Sequence, residues 1–126
     1  MMSHFHAVAW LDHSDAHVLH FSRDDVEASH LHAQHSHRHL HNRRAPHERH
    51  PAPVEFFDEI VHALEGAQEI LVCGPGTAKT EFTRHVEHHH QALKARIFGV
   101  ETVDHPSDGQ LLQHARKYFK AADRMR

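Results

Sequence analysis

The chain has 126 residues, one cysteine (Cys73), 20 histidines and a formal net charge of -3 with histidines neutral. That length holds one core and excludes several domains. The charge excludes a polycation, the lone cysteine excludes an intramolecular disulfide, and no apolar run reaches membrane-spanning length. The N-terminal MMSHFHAVAW has no charged head, apolar stretch and cleavage site of a secretory signal, so a cytoplasmic location is expected. Histidine titrates near pH 6.5, so mild acid turns the chain strongly cationic.

Residues 5–12, FHAVAWLD, are apolar and end on the polar DHSD, which reads as a strand and a tight turn into a second strand at 16–21, AHVLHF. SRDD marks another turn, and VEASHLHA at 26–33 reads as a third, more polar strand near a sheet edge. Residues 34–53, QHSHRHLHNRRAPHERHPAP, have almost no apolar side chains and three prolines. They cannot bury a core and read as an excursion from the domain. PVEFFDEIVHALEG follows, with Phe57, Ile60, Val61 and Leu64 on one helical face, acids in its first half and Gly66 at its end.

EILVCG at 69–74 reads as a buried strand, closed by Cys73 as a buried, inert thiol. TAKTEFTRHVEHHHQAL is predicted as one helix with Phe82, Val86, His89 and Leu93 along one side. RIFGVETV is predicted as another buried strand. The last helix, SDGQLLQHARKYFKAADRM, is expected to turn Leu112, Ala115, Phe119 and Ala122 inward. Ser107 and Gln110 form a capping box at its start, and Lys117, Tyr118 and Lys120 read as a solvated face with one amphipathic anchor. The order β-β-β-α-β-α-β-α predicts a mixed five-stranded α/β sheet with helices on both faces, the order of the ribonuclease-H-like fold.

VCGPGTAKT, at 72–80, imitates the phosphate loop G-x-x-x-x-G-K-[ST]. Counting back from Lys79, Ala78 and Cys73 stand where glycines belong, and the loop is a residue short. It is read instead as a structural turn built on Gly74, Pro75, Gly76 and Lys79, the glycines supplying unusual backbone angles and Thr77 capping the helix. No nucleotide is expected to bind. A two-metal nuclease site needs clustered carboxylates. Asp12 ends strand 1, and Glu55, Asp58 or Glu59 offer a helical acid, but the turn at the end of strand 4 carries none. No enzymatic activity is therefore expected. Asp12 reads as a turn residue and the helix acids as a solvated face.

GPGTAKTEF is similar to the G-P-G-x-x-K-x-x-F segment in the central domain of the archaeal and eukaryotic peptide-chain release factors and their relative Pelota. Gly74, Pro75, Gly76, Lys79 and Phe82 match it. EILVC before it and VETVDHPSDGQLLQHA after it also resemble that domain, whose architecture is ribonuclease-H-like. The whole chain resembles a group of small bacterial proteins described as translational machinery proteins. The resemblance implies a role in translation. Release factors carry a Gly-Gly-Gln tip in the loop after strand 3; here that loop is the excursion, without Gly-Gly-Gln, which argues against peptide release.

His30, His32, His35, His37, His39, His41, His47 and His50 fall within 21 residues, with Arg38, Arg43, Arg44 and Arg49 among them and Glu48 as the one acid. Guanidinium groups bind phosphate and imidazoles stack on bases, so RNA or ribosome contact is the first reading, carried by the four arginines with His37, His39 and His41. The alternative is a histidine-rich metal-binding protein. Zinc or nickel would then be held by His30, His32, His35, His37, His39 and His41, which alternate along an extended chain, although no closed zinc spacing is present. The plain reading is a solvated loop of biased composition. No cofactor is required on any of these readings. His85 and His89, one helical turn apart, are spaced to share a metal but fit surface or partly buried helix positions better. His6, His13, His17 and His20 fit a sheet face. A third possibility, a protein-interaction module, rests on strand 3 as an open edge for a partner or a second copy.

Overall fold

The computed structural model describes residues 5–33 and 54–125. The excursion, with its four arginines and His35, His37, His39, His41, His47 and His50, lies outside them. The elements are β1 (His6–Leu11), β2 (Asp15–Phe21), β3 (Val26–His32), α1 (Val54–Leu64), β4 (Glu69–Gly74), α2 (Ala78–His89), the short α3 (Gln91–Lys94), β5 (Ile97–Thr102) and α4 (Asp108–Met125).

The five strands form one sheet in the order β3-β2-β1-β4-β5. β1 pairs antiparallel with β2, and β2 with β3, while β1–β4 and β4–β5 are parallel. The meander and crossovers expected of a ribonuclease-H-like sheet are all present.

β1 and β4 are apolar at every interior position because both sheet faces are covered. Ala7, Ala9, Leu11, Val18, Ile70 and Val72 face α1 and α2, meeting Phe57, Ile60, Leu64, Phe82 and Val86. On the other face Val8, Trp10, Leu19, Phe21, Leu71 and Cys73 meet α4 through Leu111, Ala115 and Phe119. Gly66, after α1, has φ +98°, the left-handed geometry that ends a helix without a Cβ penalty. At α4 the capping box closes: the Gln110 amide donates to Ser107 Oγ (3.1 Å), and the Ser107 amide donates to Gln110 Oε1 (2.9 Å).

Several expectations change. β5 is not a buried strand: it is the far edge of the sheet, with Phe98 43% and Val100 42% exposed. Its register slips, Ile70 opposite Ile97 but Leu71 opposite Gly99, so Phe98 is the extra residue of a bulge. The Tyr118 ring packs over Gly99, its hydroxyl donating to the Phe98 carbonyl (3.1 Å). In α4 the inward stripe is Leu111, Ala115 and Phe119 at four-residue steps, with Leu112 on the flank and Ala122 half-buried. The helix predicted through residue 93 breaks at His90 (φ -142°, ψ 63°) into α2 and α3, and His89 is exposed rather than inward.

Candidate functional site

Strand direction collects the chain's turns at one end of the sheet. β1, β3, β4 and β5 all finish there, and α2 and α4 begin there. In open α/β sheets this carboxyl end is where ligands bind. Asp12 Oδ1 accepts from the amides of Ser14 (2.9 Å) and Asp15 (2.7 Å), the turn role expected of it. The Ala33 amide donates to the Ser14 carbonyl (2.8 Å), so the excursion leaves from this turn. It rejoins at Val54, beside a groove of about 330 Å3 between α1 and α2 whose other wall includes Arg84, His85, His88 and His89.

The 74–79 turn sits at the same end. Neither Gly74 nor Gly76 has a positive φ, so unusual backbone angles do not explain them. Gly74 serves close approach instead: a Cβ there would collide with the backbone carbonyl of Leu11, while one at Gly76 would meet nothing within 4 Å. Thr77 makes no side-chain cap; its hydroxyl donates to Glu81 Oε2 (3.2 Å). Lys79 turns back on its own loop, Nζ donating to the Gly76 carbonyl (2.5 Å).

Most described histidines face a carboxylate. At the carboxyl end His13 donates to Glu81 (3.0 Å), His32 pairs with Asp15, and His17 and His30 donate to separate oxygens of Asp108 (3.0 and 2.9 Å). His6 meets Glu69 (3.1 Å), and His20 donates to the Ala63 carbonyl (2.6 Å). Between α1 and α2, His85 and His90 both donate to Asp58 Oδ1 (2.7 and 3.0 Å). Beside β5, His114 donates to Glu101 (2.6 Å) next to the Cys73 thiol. Of the residues named for the excursion, His30 and His32 therefore meet different carboxylates, and the others lie outside the described residues. The rings of His85 and His89 are 4.9 Å apart, but the partners of His85 are Asp58 and, across it, His90.

The electrostatics follow from these contacts. Hydrogen bonds from His85 and His90 hold the Asp58 carboxyl below the usual carboxylate range. Burial pushes Asp108 up, but the bonds from His30 and His17 outweigh it and leave it low. Burial, reinforced by Glu101 and opposed by Lys79, pushes the Cys73 thiol up to about 12, so it stays protonated and inert at neutral pH. A depressed folded-state pKa means that the contribution of Asp108 is present above its unfolded pKa of about 3.9 and lost as pH falls through the lower folded value. Because its side chain is 37% exposed, the expected size is about 1 kcal/mol or less. Urea midpoints of wild type and Asp108→Asn, compared between about pH 5 and about pH 2, should show wild type losing that increment and the variant lacking it. Parallel pH curves would refute it.

No family model matches the sequence, and no curated protein does. Solved structures do. Archaeoglobus fulgidus Pelota is similar with a TM-score of 0.63 at 16% identity, over 89% of this chain and 30% of that one. Saccharomyces cerevisiae Dom34, a translation termination-like factor involved in RNA quality control pathways, gives 0.57 at 14% identity, over 86% of this chain and 31% of that one. The archaeal translation termination factor aRF1 gives 0.54 at 17% identity, over 95% of this chain and 38% of that one. The chain spans about a third of the length of these structures. The likeness shows the fold: this chain resembles the ribonuclease-H-like central domain of Pelota and the release factors.

Proposed function

We propose that the chain is a non-enzymatic, translation-associated factor that contacts ribosomal RNA through its His/Arg excursion. The observation that carries this reading is the shared fold with Pelota, Dom34 and a termination factor, joined to where the excursion enters it. It joins β3 to α1, the connection that in the release factors bears the Gly-Gly-Gln tip. Here that connection has four arginines, six histidines and one acid over residues 34–53, and no Gly-Gly-Gln. The composition suits phosphate contact and base stacking, and its one glutamine, Gln34, is not set in the Gly-Gly-Gln tip that assists water attack on an ester. Imidazole titration makes the contact stronger in mild acid.

Cosedimentation with ribosomes tests this. The full chain is expected to pellet with ribosomes, and a variant with residues 34–53 replaced by a short Gly-Ser bridge is not. The excursion's four arginines would steepen the salt dependence by roughly three in log-log slope. Equal pelleting of the two proteins, with the bridged variant folded by circular dichroism, sinks the claim.

A further inference from the structure

In an unbroken helix, residues 85 and 90 point about 140° apart. They converge here because α2 ends at His90, whose backbone leaves the helical region and carries its ring back toward α1. Asp58, on α1, receives both. The two imidazoles present Nε2 to the same oxygen, Oδ1, at 2.7 and 3.0 Å. The His85 side chain is only 9% exposed, while Asp58 and His90 stay open to solvent. Two nitrogens and one carboxylate oxygen thus surround a single point, one side buried and the other open.

We propose that Asp58, His85 and His90 form a binding site for a divalent transition metal ion of the zinc class. Ligand atoms around tetrahedral zinc, at bonds of about 2.0–2.1 Å, stand about 3.3 Å apart. The three donor atoms lie within 4.8 Å of one another, and the two donor–oxygen distances need to open by only a few tenths of an ångström. The ion takes the place of the two Nε2 protons that now bridge to Asp58: each neutral imidazole then carries its proton on Nδ1, and any second proton on a ring passes to solvent. An N,N,O donor set suits zinc, nickel or cobalt and not calcium or magnesium, which require oxygen. Three protein ligands leave one position for water, the arrangement of open zinc sites.

Among the described residues, the two other clusters of three potential ligands fit less well. Asp108 splits its oxygens between His17 and His30, so the two nitrogens do not converge on one atom. Beside β5 the third donor would be the buried thiol of Cys73. The proposed site shares no residue with the excursion, so it stands or falls independently of ribosome binding.

Zinc titration of the full chain against a chromophoric chelator, with imidazole nitrogen spectra, tests the site. In wild type, zinc is expected to shift the Nε2 resonances of His85 and His90. A full-length variant with His35, His37, His39, His41, His47 and His50 changed to Asn should keep one tight equivalent. Adding Asp58→Asn or His90→Gln to it should weaken that equivalent at least tenfold. Zinc should also raise the unfolding temperature of the first protein and not of the second pair. If Asp58→Asn fails to fold, His90→Gln, at the helix end, gives the same reading, and the wild-type spectra need no substitution. Unmoved His85 and His90 resonances, no zinc bound by the excursion variant, or a loss below tenfold would each overturn the proposal.

Discussion

Phe82→Ala is expected to lower the unfolding free energy by about 4 kcal/mol. Phe82 is fully buried in the cluster between the sheet and the α1–α2 layer. Its ring meets Phe57 edge-on, centroids 5.6 Å apart at 68°. Removing it forfeits the transfer energy of a phenyl ring and leaves a cavity walled by elements that cannot collapse. α1 and α2 are held apart by their own contacts with the sheet, so neither can close the gap alone. Small domains have only about 5–15 kcal/mol in hand, so the loss is a large share of the total. Urea denaturation should show a lower midpoint with an unchanged slope. A loss below about 2 kcal/mol would mean that the layer repacks, contrary to this account.

Gly74→Ala should cost about 3 kcal/mol, whereas Gly76→Ala should stay within about 0.5 kcal/mol. The two glycines look alike in the sequence and do different things. A methyl on Gly74 would strike the carbonyl oxygen of Leu11. The methyl is fixed to the β4 backbone and the oxygen belongs to the β1 backbone, so relief requires these two parallel strands to part at their carboxyl ends. Gly76 has open space around its Cβ position and no positive φ. Paired urea titrations decide it. Equal effects would point to a shared backbone role, as in a phosphate-cradling loop; the unequal effects expected here mark the motif as a packing device between strands.

Much of the fold is legible in the sequence because its signals are local. β1 and β2 are short apolar runs bounded by DHSD and SRDD, α1 has a clear apolar stripe with Gly66 behind it, and Ser107 with Gln110 announces α4. The errors occur where neighbours decide. IFGV is as apolar as a central strand, and nothing within it reveals that no strand lies beyond it among the described residues. His90 ends α2 without a glycine or proline to mark the stop. Asp58 read as a solvated helix acid because its partners stand 27 and 32 residues away, on α2 and at the break that follows it. Only the α1–α2 packing brings them together, and no local periodicity encodes that.

The rooting of residues 34–53 has a consequence for how such a domain diversifies. One root is fixed by the β2–β3 ladder and the Ala33–Ser14 bond, the other by the apolar face of α1 against the sheet. The contacts named for both anchors are made among residues 5–33 and 54–125. Doubling or halving the connection changes closure entropy by only about 0.6 kcal/mol. The described core is therefore expected to act as a socket: a connection of different chemistry at 34–53 should leave the same strands and helices folding around the same core, so that sequence change there is largely uncoupled from selection on stability.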